Sequence, residues 1–592
     1  EPRLTLAGQS RLWTYGYVAL ALLTALTAIL TLRHRTTAAQ EATDVTLEPE
    51  TKLTWAERGR WVLLSAAPAS LMLGITTYLT TNIAPIPFLW VIPLALYLIS
   101  FIFEFSSRVR ISSKLLIRIS TILVLPIALV LVLELWVPMV PLAGMHLAVF
   151  FVIAWTCHTL LSQSRPSASH LTEFYLWIAA GGVAGGAFNA FFAPVFFNGL
   201  IEYPIALAVA LAVIQSRSKP VIEHKVGDMV IVPARRHMAL WADLGVAALV
   251  CVLLFGLSFL GPKVLVLVNG RWGETAESAI AMIATCILLI GCFFAIDRPI
   301  RYGLVLGAVM IFAPAMKRTS GLIIYQARNF FGVKRVYSSP DNSFHDLLHG
   351  SILHGRQNLK PELRREPLTY YNPKSPIGSL FQEFSGPKAK QSVAVIGLGA
   401  GTLAAYGERG QHWTFYEIDP EMIRIATDPK LFTYLADSKA QIEIVQGDGR
   451  LEIAKAPPAG YDLIMLDAFS SDSVPVHLLT LEAIKIYESK LKPGGIIAFH
   501  TSNKYLQLPP VLARGANALG LKSIYFSMDL VSPEEEQKGW TISRWILMAR
   551  DEKDFAGLAK KRVWEHMDKF TGGPVWTDDF SNVLGAFGID ES

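Results

Sequence analysis

The chain has 592 residues, 52% hydrophobic and 17% charged, with a formal net charge of +5. Soluble domains carry roughly 25% charged residues, so a wholly water-soluble protein is excluded and much of the chain is expected in lipid. The basic residues form no stripe interleaved with aromatics, so nucleic acid is not an expected partner. The four cysteines (Cys157, Cys251, Cys286, Cys292) lie in apolar segments without CxxC spacing, which argues against metal ligation or a disulfide framework.

The sequence starts at Glu1 and reads as the interior of something longer, so a processed or incomplete N-terminus is expected. Apolar runs recur at 12–32, 61–80, 87–105, 115–136, 146–161, 174–197, 201–214, 238–260, 279–296 and 302–316. A helix crossing a bilayer needs about 20 residues. Residues 1–316 therefore read as a multi-span α-helical membrane domain of nine or ten helices. The stretch Ala179-Ala-Gly-Gly-Val-Ala-Gly-Gly-Ala-Phe-Asn189 places small residues at helical spacing, which favours close helix packing over a substrate path. No run carries Asp, Glu, Lys or Arg near its centre, which argues against a proton-coupled pump. Glu104 and Glu134 fall near run ends and read as interfacial.

Basic residues gather at Arg33, Arg35, Lys52, Arg58 and Arg60, at Arg108, Arg110 and Lys114, and at Arg217, Lys219, Lys225, Arg235 and Arg236. The loops at 81–85 and 137–144 have none. The positive-inside rule puts the basic loops in the cytoplasm. Counting ten spans leaves the chain after Met316 outside; one span fewer puts it in the cytoplasm, the side favoured by the nucleoside chemistry below.

After Lys317 and Arg318 the composition becomes that of a globular domain. Val333-Lys-Arg-Val-Tyr337, Ser343-Phe-His-Asp-Leu-Leu348 and Ser351-Ile-Leu-His354 read as short strands of a small antiparallel β unit, with a proline-rich connector to residue 388. From 389 to 550 strands and helices alternate. Strands end at Ile396 and Glu417 and then cover 441–446, 461–466, 496–500, 523–526 and 541–548, with helices near 377–384, 478–490 and 508–519. That order predicts an α/β doubly wound, mainly parallel Rossmann-like sheet with ligands at the carboxyl ends of its strands. Residues 551–592 read as a C-terminal tail.

The sheet opens with Ser392-Val-Ala-Val-Ile-Gly-Leu-Gly-Ala-Gly-Thr-Leu403, read as strand, glycine turn and the start of a helix. Gly397, Gly399 and Gly401 let the backbone turn tightly and approach a ligand. Glu417, twenty residues after Gly397, ends the next strand, where a carboxylate reaches ribose hydroxyls. Asp448 and Gly449 in Gly447-Asp-Gly-Arg450 and Asp467 after strand four fall on the same edge. This is the pattern of a nucleoside site. Ordinary structural roles compete at several positions. Asp419 before Pro420 reads as a helix N-cap, and Asp448 is open to the same role. Asp467 could merely end its strand. His354, His477 and His500 read as polar-edge histidines, Tyr370 and Tyr371 as packing aromatics. Asp578 and Asp579 read as surface charges, a tail folded over the site being the alternative.

The set Ile396-Gly-Leu-Gly-Ala-Gly401, Tyr416-Glu-Ile-Asp419, Gly447-Asp-Gly449 and Tyr461-Asp-Leu-Ile-Met-Leu-Asp467 resembles the spermidine synthase (polyamine aminopropyltransferase) family. With the apolar runs, the whole chain looks like bacterial membrane proteins described as fused transporter/spermidine synthase-like, which implies the inner membrane. The resemblance implies decarboxylated S-adenosylmethionine or S-adenosylmethionine as co-substrate, a small-molecule amine as acceptor and no metal. The bilayer and other membrane subunits are the remaining expected partners. It further implies that Glu417 holds the ribose, that Asp448 accepts from the adenine amino group and that Asp467 is the catalytic acid/base. Gln357 and Tyr371 would line the entrance, with Tyr370 and Asp472 on the substrate side. The chain departs from the family at Ala400, where an Asp grips the propylamine nitrogen, at Asp472, displaced relative to Asp467, and at Tyr370-Tyr-Asn372, which lacks the family's His and Glu. A methyltransferase on the same scaffold and a non-catalytic transporter or assembly subunit remain open.

Overall fold

The computed structural model describes residues 6–38, 53–83, 89–106, 111–133, 137–215, scattered positions between 225 and 290, and then 299–316, 321–339, 341–350, 352–468, 475–503, 506–570 and 572–586. The chain forms two compact units, one of Leu53–Asp341 with Leu348–Ile352, the other of Glu1–Lys52, Asn342–Leu347 and Leu353–Ser592.

The N-terminal region is helical. Helices α1 (Leu6–Ala38), α2 (Trp55–Tyr78), α3 (Val91–Phe105), α4 (Ser113–Leu133), α5 (Met139–Gln163), α6 (Leu171–Ala187), α7 (Glu202–Gln215) and α8 (Pro299–Met316) coincide with eight of the apolar runs. Five stretches, Gly8–Leu30, Trp55–Thr81, Ser113–Val130, Val140–Gln163 and Ala168–Phe196, are long and apolar enough to cross a membrane; Val91–Phe105, Glu202–Ile214 and Ile300–Ile311 are apolar but shorter. The expected spans at 238–260 and 279–296 lie outside the described residues apart from isolated positions.

Local chemistry sets these helices. Thr54 caps α2, its hydroxyl accepting from Glu57 N while the Glu57 carboxylate accepts from Thr54 N at 2.8 Å. The glycine stretch packs as expected. A Cβ on Gly181 would lie 2.5 Å from the Val62 carbonyl oxygen, and one on Gly185 would collide with the Ala66 carbonyl. Two small positions a turn apart thus bring α6 against α2. Gly303 of α8 meets Ala208 and Ala212 of α7, and Gly307 meets Ala208, so these helices run antiparallel.

Although no apolar run has Asp, Glu, Lys or Arg near its centre, α5 buries two histidines. His146 Nδ1 lies 2.7 Å from the Tyr203 hydroxyl, and His158 Nδ1 lies 3.0 Å from Ser100 Oγ. Glu104, read as interfacial, accepts from Thr159 Oγ1 at 2.8 Å.

The β unit contains β1 (Leu322–Asn329), β2 (Gly332–Ser338), β3 (Phe344–His349) and β4 (Ile352–Asn358). β1 was not expected; it forms an antiparallel hairpin with β2. After helix α9 (Pro376–Glu383) come β5 (Ser392–Ile396), β6 (His412–Glu417), α10 (Pro420–Thr427), β7 (Gln441–Gln446), α11 (Gly449–Lys455), β8 (Tyr461–Leu466), α12 (Leu481–Lys490), β9 (Leu491–His500), α13 (Leu508–Ala518), β10 (Lys522–Met528), β11 (Ser543–Ala549) and β12 (Glu565–His566). They build one eight-stranded sheet in the order β12-β10-β11-β9-β8-β5-β6-β7. The pairs from β9 through β7 are parallel, and β10, β11 and β12 join antiparallel. The region is an α/β, Rossmann-like sheet.

Alternation along β5 shows why both faces are closed. Ala394 and Ile396 enter one core with Ile464, Phe499 and Trp576, whereas Val393 and Val395 enter the other with Met465, Trp545 and Leu380. Near-continuous apolar strands are what a doubly covered parallel sheet requires. Two local features differ from the strand and helix bounds read from the sequence. The glycine turn leads into a 3-10 turn at Thr402–Tyr406, not an α-helix, because Gly407 and Gly410 follow within a few residues. Lys492-Pro-Gly-Gly495 lies inside β9, where Tyr461 pairs Leu491 and Leu463 already pairs Ile496, so the extra residues bulge out.

Candidate functional site

The strand order reverses between β5 and β8, and ligands of open α/β sheets bind at such switch points. Gly397 follows β5 and Asp467 follows β8. The Asp467 amide donates to Ile396 O at 2.8 Å, and a Cβ on Gly397 would collide with the Asp467 carbonyl. Gly397, Gly399 and Gly401 all have positive φ (99°, 54° and 78°), so the turn needs glycine for conformation as well as space.

Glu417 lies beside this turn, 8% exposed. Its Oε2 accepts from Leu398 N and its Oε1 from Asp419 N, both at 2.9 Å. Burial raises its pKa, and these backbone donors pull the other way. Each oxygen keeps a further lone pair, the acceptor set two ribose hydroxyls need. Asp419 is the N-cap of α10, accepting from Glu421 N, as its place before Pro420 suggested. Asp448 caps α11 through Oδ1, accepting from Leu451 N at 3.0 Å, while Oδ2 lies 3.1 Å from His477 Nε2. Gly449, buried at the start of α11, packs against Ile396, drawing that helix onto β5.

Asp467 sits in a connected polar chain. Its Oδ2 accepts a short hydrogen bond from the Tyr371 hydroxyl, and its Oδ1 lies 2.6 Å from His500 Nδ1. His500 Nε2 lies 2.8 Å from Ser502 Oγ, which accepts from Arg544 N at 2.9 Å. The imidazole stacks between Tyr370 (centroids 4.7 Å apart) and Trp545 (4.9 Å). The side chains of His500 and Asp467 are only 5% and 6% exposed. Tyr370 donates to His354 O at 3.2 Å, and burial beside Asp467 raises its pKa well above that of a free phenol. Tyr370 and Tyr371, weighed as packing aromatics, are thus part of this cluster. Reading His500 as an ordinary polar-edge residue was wrong: the ring is buried and bonded to Asp467. The signal was available, because His500 ends a strand on the same edge as Glu417, Asp448 and Asp467.

Gln357 is not in the cluster. It is 1% exposed, and its amide is taken up by Arg364 O, Thr433 Oγ1 and Thr433 N at 2.8–2.9 Å. Asp472 lies outside the described residues. Ala400 is 1% exposed and faces Gly355; a Cβ there would lie 2.5 Å from that of Ala400. The tail does return to the sheet: Trp576 is buried, and Asp578 pairs with both Arg450 Nη1 and Nη2 at 2.7 Å.

No protein-family profile matches the chain. Among curated proteins it is 32% identical over 129 residues to a polyamine aminopropyltransferase of Vibrio vulnificus (strain CMCP6), covering 20% of this chain and 41% of that protein. It is 30% identical over 164 residues to an N-terminal histidine N-methyltransferase of Emericella nidulans, covering 26% of this chain and 28% of that one. The chain thus spans less than half the length of these curated relatives. Among solved structures it is similar to a probable spermidine synthase from Corynebacterium glutamicum (16% identity, 44% of this chain and 98% of that one, TM-score 0.32). A SAM-dependent methyltransferase from Archaeoglobus fulgidus is also similar (17% identity, 30% of this chain and 91% of that one, TM-score 0.22). The sequence similarity, at modest identity and over part of the chain, is thus to a polyamine aminopropyltransferase and to a methyltransferase.

Proposed function

We propose that the protein is a membrane-tethered transferase of spermidine synthase type. It moves an aminopropyl group from decarboxylated S-adenosylmethionine to a small-molecule amine. The observation that carries this reading is Asp467 at the switch point, facing the glycine turn, with Glu417 and Asp448 at the ends of neighbouring strands. Sulfonium carbon is already activated, so the protein's task is to align the amine and remove its proton. The amine nitrogen forms the new N–C bond, the S–C bond breaks with its electron pair passing to sulfur, and the displaced proton goes to Asp467 Oδ2. Glu417 holds the ribose and Asp448 meets the adenine amino group through a remaining lone pair. The apolar helices cross a lipid bilayer, by the resemblance a bacterial inner membrane, and other membrane subunits are candidate partners.

Ala400 favours a second reading. With no carboxylate at that position to hold a propylamine nitrogen, S-adenosylmethionine serves as methyl donor in the same pocket. Calorimetry with S-adenosylmethionine, its decarboxylated form and methylthioadenosine separates the readings. We expect binding, with a preference for the decarboxylated donor; no heat from any of the three overturns both readings. Asp467→Asn should keep donor binding and lose turnover by 10²-fold or more. A fully active mutant refutes the assignment.

A further inference from the structure

We propose that His500 is a positioning residue for Asp467, and that Tyr371, Asp467 and His500 work as one acid/base unit. The inference rests on the transferase reading for its chemical meaning and on the geometry for its form. Three observations carry it.

Both carboxylate oxygens have partners from opposite sides, the Tyr371 hydroxyl on Oδ2 and the His500 ring on Oδ1. The ring is held in place by Tyr370 and Trp545 on its two faces, so its N–H direction is fixed by packing. Beyond it, Ser502 Oγ already accepts from Arg544 N, and its own hydroxyl proton can point to His500 Nε2. An ionised carboxylate only accepts. Nδ1 therefore carries a proton donated to Oδ1, and the Ser502 hydroxyl is placed to donate to Nε2.

This arrangement divides the labour of the two oxygens. Oδ1 is committed to the imidazole, which fixes the carboxylate plane. Oδ2 faces Tyr371 and is the atom that receives the proton from the incoming amine, directly or through the phenol. Without His500 the carboxylate would rotate, and Oδ1 would be left buried without this donor, the costly half of a broken pair. The amine loses one proton, Asp467 gains it, and no further reactant is needed.

Two measurements on the full-length protein test this, one independent of turnover. Nitrogen-15 NMR of histidine-labelled protein should show the His500 ring, identified by the signals lost in His500→Phe, protonated on Nδ1 with Nε2 unprotonated, and this signature should change in Asp467→Asn. A His500 ring protonated on Nε2 alone overturns the inference whatever the enzyme does. With decarboxylated S-adenosylmethionine and a diamine, His500→Phe should lower kcat by 10²-fold or more, leave donor affinity unchanged and shift the acid limb of the pH–rate profile. His500→Asn, whose side-chain N–H sits near the place of Nδ1–H, should recover part of the rate. An unchanged kcat and pH profile in His500→Phe refutes the role. A wild-type protein without any transfer refutes the transferase reading, and the NMR signature still decides the geometry.

Discussion

Arg328 of β1 clasps Glu202 at the start of α7, with Nη2 2.8 Å from Oε1 and Nη1 2.9 Å from Oε2. The same guanidinium donates to Gly199 O, and Gln326 donates to Asn198 O. Both charged side chains are nearly buried, at 8% and 2% exposure. The hairpin is therefore fixed to the turn between α6 and α7. That turn shares one end of the bundle with the end of α2 and the start of α5, because Tyr78 stacks on Tyr203 and His146 bonds it.

At the Glu202 end, residues 79–83, 89–90, 137–138 and 193–203 carry no Lys or Arg, whereas Arg58, Arg60, Lys114, Arg118 and Arg165 gather at the other end. Were these helices to lie in a bilayer, the positive-inside rule would predict the hairpin on the non-cytoplasmic side. This runs against the cytoplasmic placement favoured on chemical grounds. No described helix after Met316 is long and apolar enough to cross back. In a cysteine-free background, Phe330→Cys at the exposed hairpin tip should react with an impermeant maleimide from outside sealed cells. Ser106→Cys should react only from inside. The reverse pattern would restore the cytoplasmic placement.

Glu417 should control donor affinity. Removing its charge with Glu417→Gln sets an amide N–H against a backbone N–H in place of an acceptor. A hydrogen bond to a charged group is worth about 1.5–3 kcal/mol, so donor Kd should rise about 10- to 100-fold by calorimetry. Ribose hydroxyls and a cationic sulfonium favour the carboxylate, so affinity falls as pH drops through the Glu417 pKa. Burial raises that pKa above the ordinary glutamate value of about 4.3. Binding should therefore weaken at a higher pH than an exposed glutamate would cause; a pH-independent Kd down to the ordinary range would sink the assignment.

Much of this site was legible because its signals are local. The strands ending at Ile396, Glu417, Gln446 and Leu466 lie where their apolar runs stop, and each is followed by a glycine or begins an acidic turn. His500 was visible at a strand end but was discounted, since only a buried Asp467 beside it changes its meaning. The Arg450–Asp578 pair spans 128 residues and has no local signature. Ala400 could be seen to be small, whereas the backbone pressed against it belongs to β4, supplied by a distant segment.

That long-range pair should hold the tail beside Asp448. Thr480 Oγ1 donates to Asp578 Oδ1 at 2.8 Å, Arg450 donates to His477 O, and the Asp578 amide donates to Glu482. The Arg450 guanidinium holds the Asp578 carboxyl below its usual pKa. A depressed folded pKa means the stabilisation is present above the unfolded value of about 3.9 and is lost as pH falls below it. Asp578 is half exposed, so the pair contributes about 1 kcal/mol or less. Asp578→Asn should raise proteolysis of residues 572–586 modestly at neutral pH, and the wild type should reach that state only below about pH 4. Trp576→Ala, which empties a buried aromatic site, should cost about 3–5 kcal/mol in denaturant unfolding. A tail cleaved equally fast in all three proteins would show that it does not dock.

Ala400 tests which group is transferred. An aspartate there would place a carboxylate in a position only 1% exposed, against the His354–Gly355 backbone of β4. Overpacking costs about 1–3 kcal/mol, and an unpaired buried charge adds to it. Ala400→Asp should therefore lower Tm by several degrees. If the aminopropyl reading holds and β4 yields enough to admit the acid, its charge meets the propylamine and decarboxylated S-adenosylmethionine binds more tightly and restores Tm. If the transferred group is methyl, the new charge faces the amino-acid end of S-adenosylmethionine, where it repels the carboxylate, and neither donor recovers the lost stability. Because β4 is fixed by the Tyr370 bond to His354 O as well as by packing on the glycine turn, the expected result is the loss without the rescue. A stable Ala400→Asp protein with tightened decarboxylated-donor binding would overturn that expectation and favour the polyamine chemistry.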